Sequence, residues 1–255
     1  MTEPLVALSD VSVRFGGVAA LSGVSLTLGA GEVVAVIGPN GAGKTSLFNA
    51  ITGFVPLTGG AVRLNGARID GLMPHEISAK GVRRTFQNGG LFAELSVLEN
   101  VLAGLHAQVR GNPLSILLGL PGARRAERAA VARARELLDL MGIRHLEGQS
   151  AGSLSGGQQR MVEIVRAIAT DPPLLLLDEP AVGLAPPVRS QLAAIVKRLA
   201  KERGIGVLLI EHAIELVMAV ADRIVVLNYG EKIADASPEM VRADKAVLEA
   251  YLGHA

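Results

Sequence analysis

VVAVIGPNGAGKTSLFNAITG, Val33 to Gly53, is the stretch whose reading decides the fold. Five apolar residues, Val33–Ile37, have the length and branching of a buried strand, and a helix is expected from about Lys44. Between them Gly38-Pro39-Asn40-Gly41-Ala42-Gly43-Lys44-Thr45 follows the spacing G-x-x-x-x-G-K-[ST]. Glycines let consecutive backbone N–H groups curl around phosphate oxygens where side chains would block the approach. Lys44 supplies a point charge for the terminal phosphates, and the Thr45 hydroxyl suits Mg²⁺. Gly38 to Ser46 are therefore the candidate phosphate-binding residues.

Working outward, short β-like runs precede this stretch at Val6–Leu8, Val11–Phe15 and Val24–Leu28. Asn65-Gly66 between two β-prone arms signals a hairpin. From about Phe92 to Gly142 the periodicity is helical. Ala130, Ala134, Leu137, Leu138 and Met141 fall on one face, with Gly142 as a stop. Three apolar strands follow, Leu174–Asp178, Val207–Ile210 and Ile224–Leu227. Strands apolar on both faces and alternating with helices indicate a parallel sheet covered on two sides.

The totals agree with one large domain. The chain has 255 residues, 49% of them hydrophobic, and a mean hydropathy of +0.39. No run reaches the roughly 18 apolar residues that a membrane span needs. The opening MTEPLVALSD lacks the basic and apolar parts of a signal peptide, so the chain is expected to stay in the cytoplasm. With no cysteine there is no disulfide or thiolate metal site. A net charge of +1 argues against a dedicated nucleic-acid binder. An apolar composition without a span suggests a surface covered by a partner.

Further candidate residues lie downstream. Asp178-Glu179 ends an apolar strand, on the side where parallel sheets place ligands. Asp178 is expected to hold Mg²⁺, directly or through water. Glu179 suits the attacking water, as general base or as the group that orients it. LSGGQQR, Leu154–Arg160, starts a helix whose N–H groups and dipole favour an anion. It contains Ser155, Gly156, Gly157 and Gln158. His212 in LLIEH and Gln87 in TFQ carry no signal by themselves.

Taken in order, GPNGAGKT, the glutamine of TFQ, LSGGQQR, LLLLDEP and the histidine of LLIEH resemble the ATP-binding cassette (ABC) ATPases over essentially the whole chain. The resemblance implies an α/β P-loop NTPase with a RecA-like parallel-sheet core, an N-terminal antiparallel β subdomain and an α-helical signature subdomain. Residues 1–255 would form a single nucleotide-binding domain with the helical part inserted at about 88–165. The cofactors implied are ATP and Mg²⁺. Ser155, Gly156, Gly157 and Gln158 would face the nucleotide of a second ABC ATPase subunit, identical or different. Gln87 would join Mg²⁺ and water to the transmembrane interface, and His212 would contact the γ-phosphate. Phe15 sits where the family often stacks an aromatic on adenine, its alternative being a core phenylalanine. Ala185 stands where many cassettes carry an acid that contacts the opposite subunit.

Within the family, FGGVAALSGVSL, RTFQNGGLFAELSVLENVL and EPAVGLAP resemble the ATPase subunits of branched-chain amino acid importers. Such a subunit works at the cytoplasmic side of the plasma membrane, with two transmembrane permease subunits and, indirectly, a solute-binding protein. Related importers for urea, amides or aromatic acids share these features, and a soluble ABC protein is the rival class. Leu114–Leu120, with Arg124, Arg125 and Arg128 after it, reads either as packing in a longer helical subdomain or as contact with a membrane partner or lipid headgroups.

Overall fold

The computed structural model describes residues 3–85, 90–105 and 121–252. Gln87 and Leu114–Leu120 lie outside them. The chain divides into two compact units, one of residues 1–84, 173–181 and 196–255, the other of 85–172 and 182–195.

The first unit begins with β1 (Val6–Phe15), β2 (Val18–Leu28) and β3 (Val33–Ile37), then α1 (Lys44–Ile51), β4 (Gly59–Leu64), β5 (Ala67–Arg68), α2 (Pro74–Ala79) and β6 (Val82–Arg84). The two early runs expected as separate strands are one, β1, with the ladder shifting register between Leu8 and Val11. Asp10 absorbs the irregularity at φ 48°, and its N–H donates to Ser25 Oγ at 2.8 Å. The Asn65-Gly66 turn joins β4 to β5 with φ of 48° and 73°, the two positive values that a tight hairpin asks for.

The second unit contains α3 (Val97–Leu105), α4 (Pro121–Leu140) and α5 (Gly156–Ile168). The helical stretch expected from Phe92 starts later, at Val97. Asn100, fully buried, accepts from the Phe92 N–H at 2.9 Å and donates to the carbonyls of Phe92 and Ser96, each at 3.0 Å, which fastens residues 92–96 as a turn. Ser96 and Glu99 then cap α3 reciprocally, since Glu99 Oε2 accepts from the Ser96 N–H at 2.8 Å and the Glu99 N–H donates to Ser96 Oγ at 3.2 Å. Ala134, Leu137, Leu138 and Met141 are fully buried, and Gly142 follows at φ 69°.

The chain continues through β7 (Leu174–Asp178), α6 (Pro186–Arg203), β8 (Gly206–Ile210), α7 (Ile214–Val220), β9 (Arg223–Asn228), β10 (Glu231–Ala236), α8 (Pro238–Ala243) and α9 (Lys245–Leu252). The first unit thus holds a four-stranded antiparallel sheet, β2-β1-β4-β5, and a six-stranded sheet, β10-β9-β3-β8-β7-β6. The latter is parallel except for its edge strand β10. Side chains of β3 alternate between two cores. Val34 and Val36 pack with the antiparallel sheet and α1, while Ala35 and Ile37 pack with Val217, Val241 and Val247 of the C-terminal helices. Burial on both faces accounts for the unbroken apolar runs of the parallel strands. It also leaves their C-terminal ends, where Ile37, Asp178 and Ile210 lie, as the edge from which functional loops can leave.

Candidate nucleotide-binding site

The loop after β3 is shaped by contacts that admit no side chain. A Cβ on Gly38 would lie 2.1 Å from the Leu227 carbonyl oxygen, and one on Gly43 would lie 2.5 Å from that of Ala20. Gly43, at φ 102°, is the N-cap of α1 and offers no side-chain acceptor. The first bond of the helix runs from the Leu47 N–H to the Gly43 carbonyl at 2.9 Å. The preceding N–H groups of the first turn are left for an anion. Lys44 is buried and donates to the carbonyls of Gly38 at 2.7 Å and Pro39 at 3.0 Å. Burial holds its ammonium below the ordinary lysine range, and the charges of Glu179 and then Asp178 pull it back upward.

Asn40, Gly41, Ala42, Gly43, Lys44, Thr45 and Ser46 line one cleft together with Val18–Ala20, Glu179 and His212. Phe15 is 53% exposed, which sets aside the core-phenylalanine alternative. It is not among the residues lining the cleft, but its cross-strand partner Val18 is. His212 Nε2 lies 3.2 Å from Glu179 Oε1. Glu179 has φ 49°, and its N–H donates to the Ile210 carbonyl at 2.9 Å, so it turns off the sheet beside β8.

Asp178 is 2% exposed, and Arg84 Nη2 donates to its Oδ2 at 2.9 Å. The same guanidinium donates to Asn49 Oδ1 at 2.7 Å and lies over the Phe48 ring, 5.4 Å from its centroid. Sequence reasoning missed Arg84, because nothing in GVRRTF sets one arginine apart from the other. It also missed Glu211, which reads as an ordinary acid before a histidine yet is 2% exposed and accepts three backbone N–H groups.

In the second unit, Ser155 caps α5. The Gln158 N–H donates to Ser155 Oγ at 3.4 Å, and Gln158 Oε1 accepts from the Ser155 N–H at 2.9 Å. The adjacent glycines differ. A Cβ on Gly157 would meet Leu184 Cδ2 at 3.0 Å, whereas one on Gly156 would meet nothing within 4 Å. Packing inside the unit explains Gly157 and leaves Gly156 unexplained. Ala185 is exposed, and its carbonyl accepts the first N–H bonds of α6.

A triphosphate suits a loop lined with N–H donors, with a lysine beside it and glycine at both positions, 38 and 43, where a Cβ would strike backbone. The Thr45 hydroxyl and the Asp178 carboxylate are hard oxygen donors of the kind Mg²⁺ takes in company with phosphate. A strand, a glycine loop, a helix and two strand-end acids so arranged make a P-loop nucleotide-binding domain.

The sequence signature of the ABC transporter family matches residues 21–182, and that of the branched-chain amino acid ATP-binding cassette transporters matches 231–255. The high-affinity branched-chain amino acid transport ATP-binding protein BraF of Pseudomonas aeruginosa is 46% identical over 100% of both chains. The crystal structure of the ADP conformation of MJ1267, a cassette of an ABC transporter, superposes with a TM-score of 0.85 at 35% identity, covering 99% of this chain and 100% of that one. A dimeric cassette, MJ0796, superposes at 0.78 with 28% identity, over 91% and 98%. The chain belongs to the ABC transporter family, among its ATP-binding, ATP-hydrolysing cassettes. Among the described residues, no helix is long and apolar enough to cross a membrane.

Proposed function

We propose that this chain powers the uptake of branched-chain amino acids by hydrolysing ATP at the cytoplasmic face of the plasma membrane. The cleft that gathers Lys44, Thr45, Glu179 and His212 carries the hydrolytic part of this reading. Lys44 and the N–H groups of Gly41 and of Gly43 to Ser46 bind the phosphates, while the Ala42 N–H is already used by the Pro39 carbonyl at 3.2 Å. Thr45 and Asp178 would hold Mg²⁺, with Gln87 as a further ligand, and the ion would supply positive charge against the phosphates. Glu179 takes or orients the proton of the attacking water, and His212 fixes the Glu179 carboxylate and reaches the γ-phosphate. Phe15 stacks on adenine from the β1–β2 edge.

The chain is one nucleotide-binding domain whose second unit is its helical insertion. That unit presents Ser155, Gly156, Gly157 and Gln158 to ATP held by a second ABC ATPase subunit. The open space beside Gly156 supports this reading, since a partner's phosphate needs the close backbone approach that the chain itself does not use. Two transmembrane permease subunits receive the motion, and a solute-binding protein delivers the amino acid. The solute class is supported by full-length similarity to BraF and by the match at 231–255.

Reconstitution with the permease and binding-protein subunits tests the reading. Leucine, isoleucine and valine uptake should depend on ATP and vanish with Glu179→Gln. Uptake of urea or amides instead would overturn the solute assignment.

A further inference from the structure

The geometry points to Glu211 as a positioning residue for hydrolysis, one carboxylate that sets the placement of both Glu179 and His212. This inference rests on the roles given above to those two residues. Glu211 follows β8 and is 2% exposed. Its Oε1 accepts from the Ala181 N–H at 2.7 Å, two residues beyond Glu179. Its Oε2 accepts from the N–H groups of His212 at 2.7 Å and Ala213 at 2.9 Å.

A buried carboxylate is stable only when its lone pairs are satisfied, and here backbone donors of two separate loops satisfy them. The two oxygens are fixed relative to one another, so the loop after β7 and the loop after β8 are held at one spacing. A second link between these loops is the bond from the Glu179 N–H to the Ile210 carbonyl, at the strand ends. Together they brace the loops on both sides of the 3.2 Å contact between Glu179 and His212. Glu211 is absent from the residues lining the cleft, so it acts through its neighbours and not on the nucleotide.

Glutamine at 211 keeps the size and one accepting oxygen but turns an N–H₂ group toward a backbone N–H at the other end. One loop is then held and the other released. Alanine releases both.

The test measures steady-state ATP hydrolysis by the reconstituted complex with its second cassette and permease subunits, and fluorescent-nucleotide binding by the purified full-length chain, each carrying Glu211→Gln or Glu211→Ala. Glu211→Gln should lower kcat about ten-fold and leave nucleotide affinity within about two-fold, because the phosphate loop is untouched. Glu211→Ala should lower kcat further at the same affinity; if it does not fold, the isosteric glutamine variant decides alone. A kcat within about two-fold of the parent in folded Glu211→Gln overturns the inference. Equal losses of kcat and affinity overturn it as well, since they would make Glu211 a general support of the fold. Failure of the underlying reading is seen separately, as continued turnover by Glu179→Gln.

Discussion

Nε2 of His212 and Oε1 of Glu179 face each other at 3.2 Å although 33 positions separate them in the chain. The parallel pairing of β7 with β8, which sets Asp178 opposite Ile210, brings their two loops side by side. Glu179→Gln should cut hydrolysis by about 10²–10⁴-fold, the usual range for loss of a general base. Nucleotide affinity should be preserved, because glutamine keeps the shape and the phosphate loop is intact. Single-turnover phosphate release alongside equilibrium nucleotide binding checks both halves.

Lys44 leads to a pH dependence with opposite signs for two observables. Its proton is held less tightly in the folded chain than at the ordinary value of 10.5, chiefly through burial. Between the lowered value and 10.5 the unfolded chain binds more protons, so this residue makes stability rise with pH across that window. Affinity for a phosphate anion should fall over the same window as the ammonium is lost. Titrating nucleotide binding and denaturant midpoints together, with Lys44→Arg as the variant that stays charged, should show the affinity decline in the parent and a flat alkaline profile in the arginine form.

The pair Arg84–Asp178 is buried at both ends, with side chains 7% and 2% exposed. Arg84→Met takes the cation from beside a buried carboxylate and should cost about 3–5 kcal/mol of stability. The double variant Arg84→Met with Asp178→Leu should regain much of that loss, since the pair's desolvation cost disappears with it. Urea midpoints at neutral pH measure both.

The signature glycines should separate stability from function. Gly157→Ala brings a Cβ to 3.0 Å from Leu184 Cδ2, so displacement of that side chain should offset the gain of up to about 1 kcal/mol that alanine brings to a helix. Gly156→Ala meets open space, so stability should move by no more than about 0.5 kcal/mol. If Gly156 serves a partner's nucleotide, its alanine variant should nevertheless lose ATP hydrolysis. An unimpaired Gly156→Ala cassette would remove the support that this glycine gives to the paired arrangement.

Local signals explain what could be read in advance. The helix at Lys44–Ile51, the Asn65-Gly66 hairpin and the apolar strands β3, β7, β8 and β9 each carry their cause within a few residues. β6 and β10 do not. β6 is three residues with two arginines, and β10 is a partly exposed edge strand made by pairing with β9. Among site residues, the phosphate loop and the strand-end acids are legible because spacing and chemistry coincide. Arg84 is not, since its partner lies 94 residues away. Glu211 is hidden for a related reason, because its ligands are backbone N–H groups, which leave no mark on residue identity.

The turn between β9 and β10 has a practical corollary. Leu227 presses its carbonyl against Gly38, and the Gly230 N–H donates to the Ala42 carbonyl at 3.0 Å, so this turn forms the floor under the phosphate loop. The Gly230 carbonyl in turn accepts from the Ser22 N–H at 2.9 Å. A hybrid cassette that exchanges C-terminal segments with a relative should therefore place its splice point beyond Ala236. A cut at Asn228 would swap the foundation of the catalytic loop along with the tail, and any change in turnover would be misassigned to the tail.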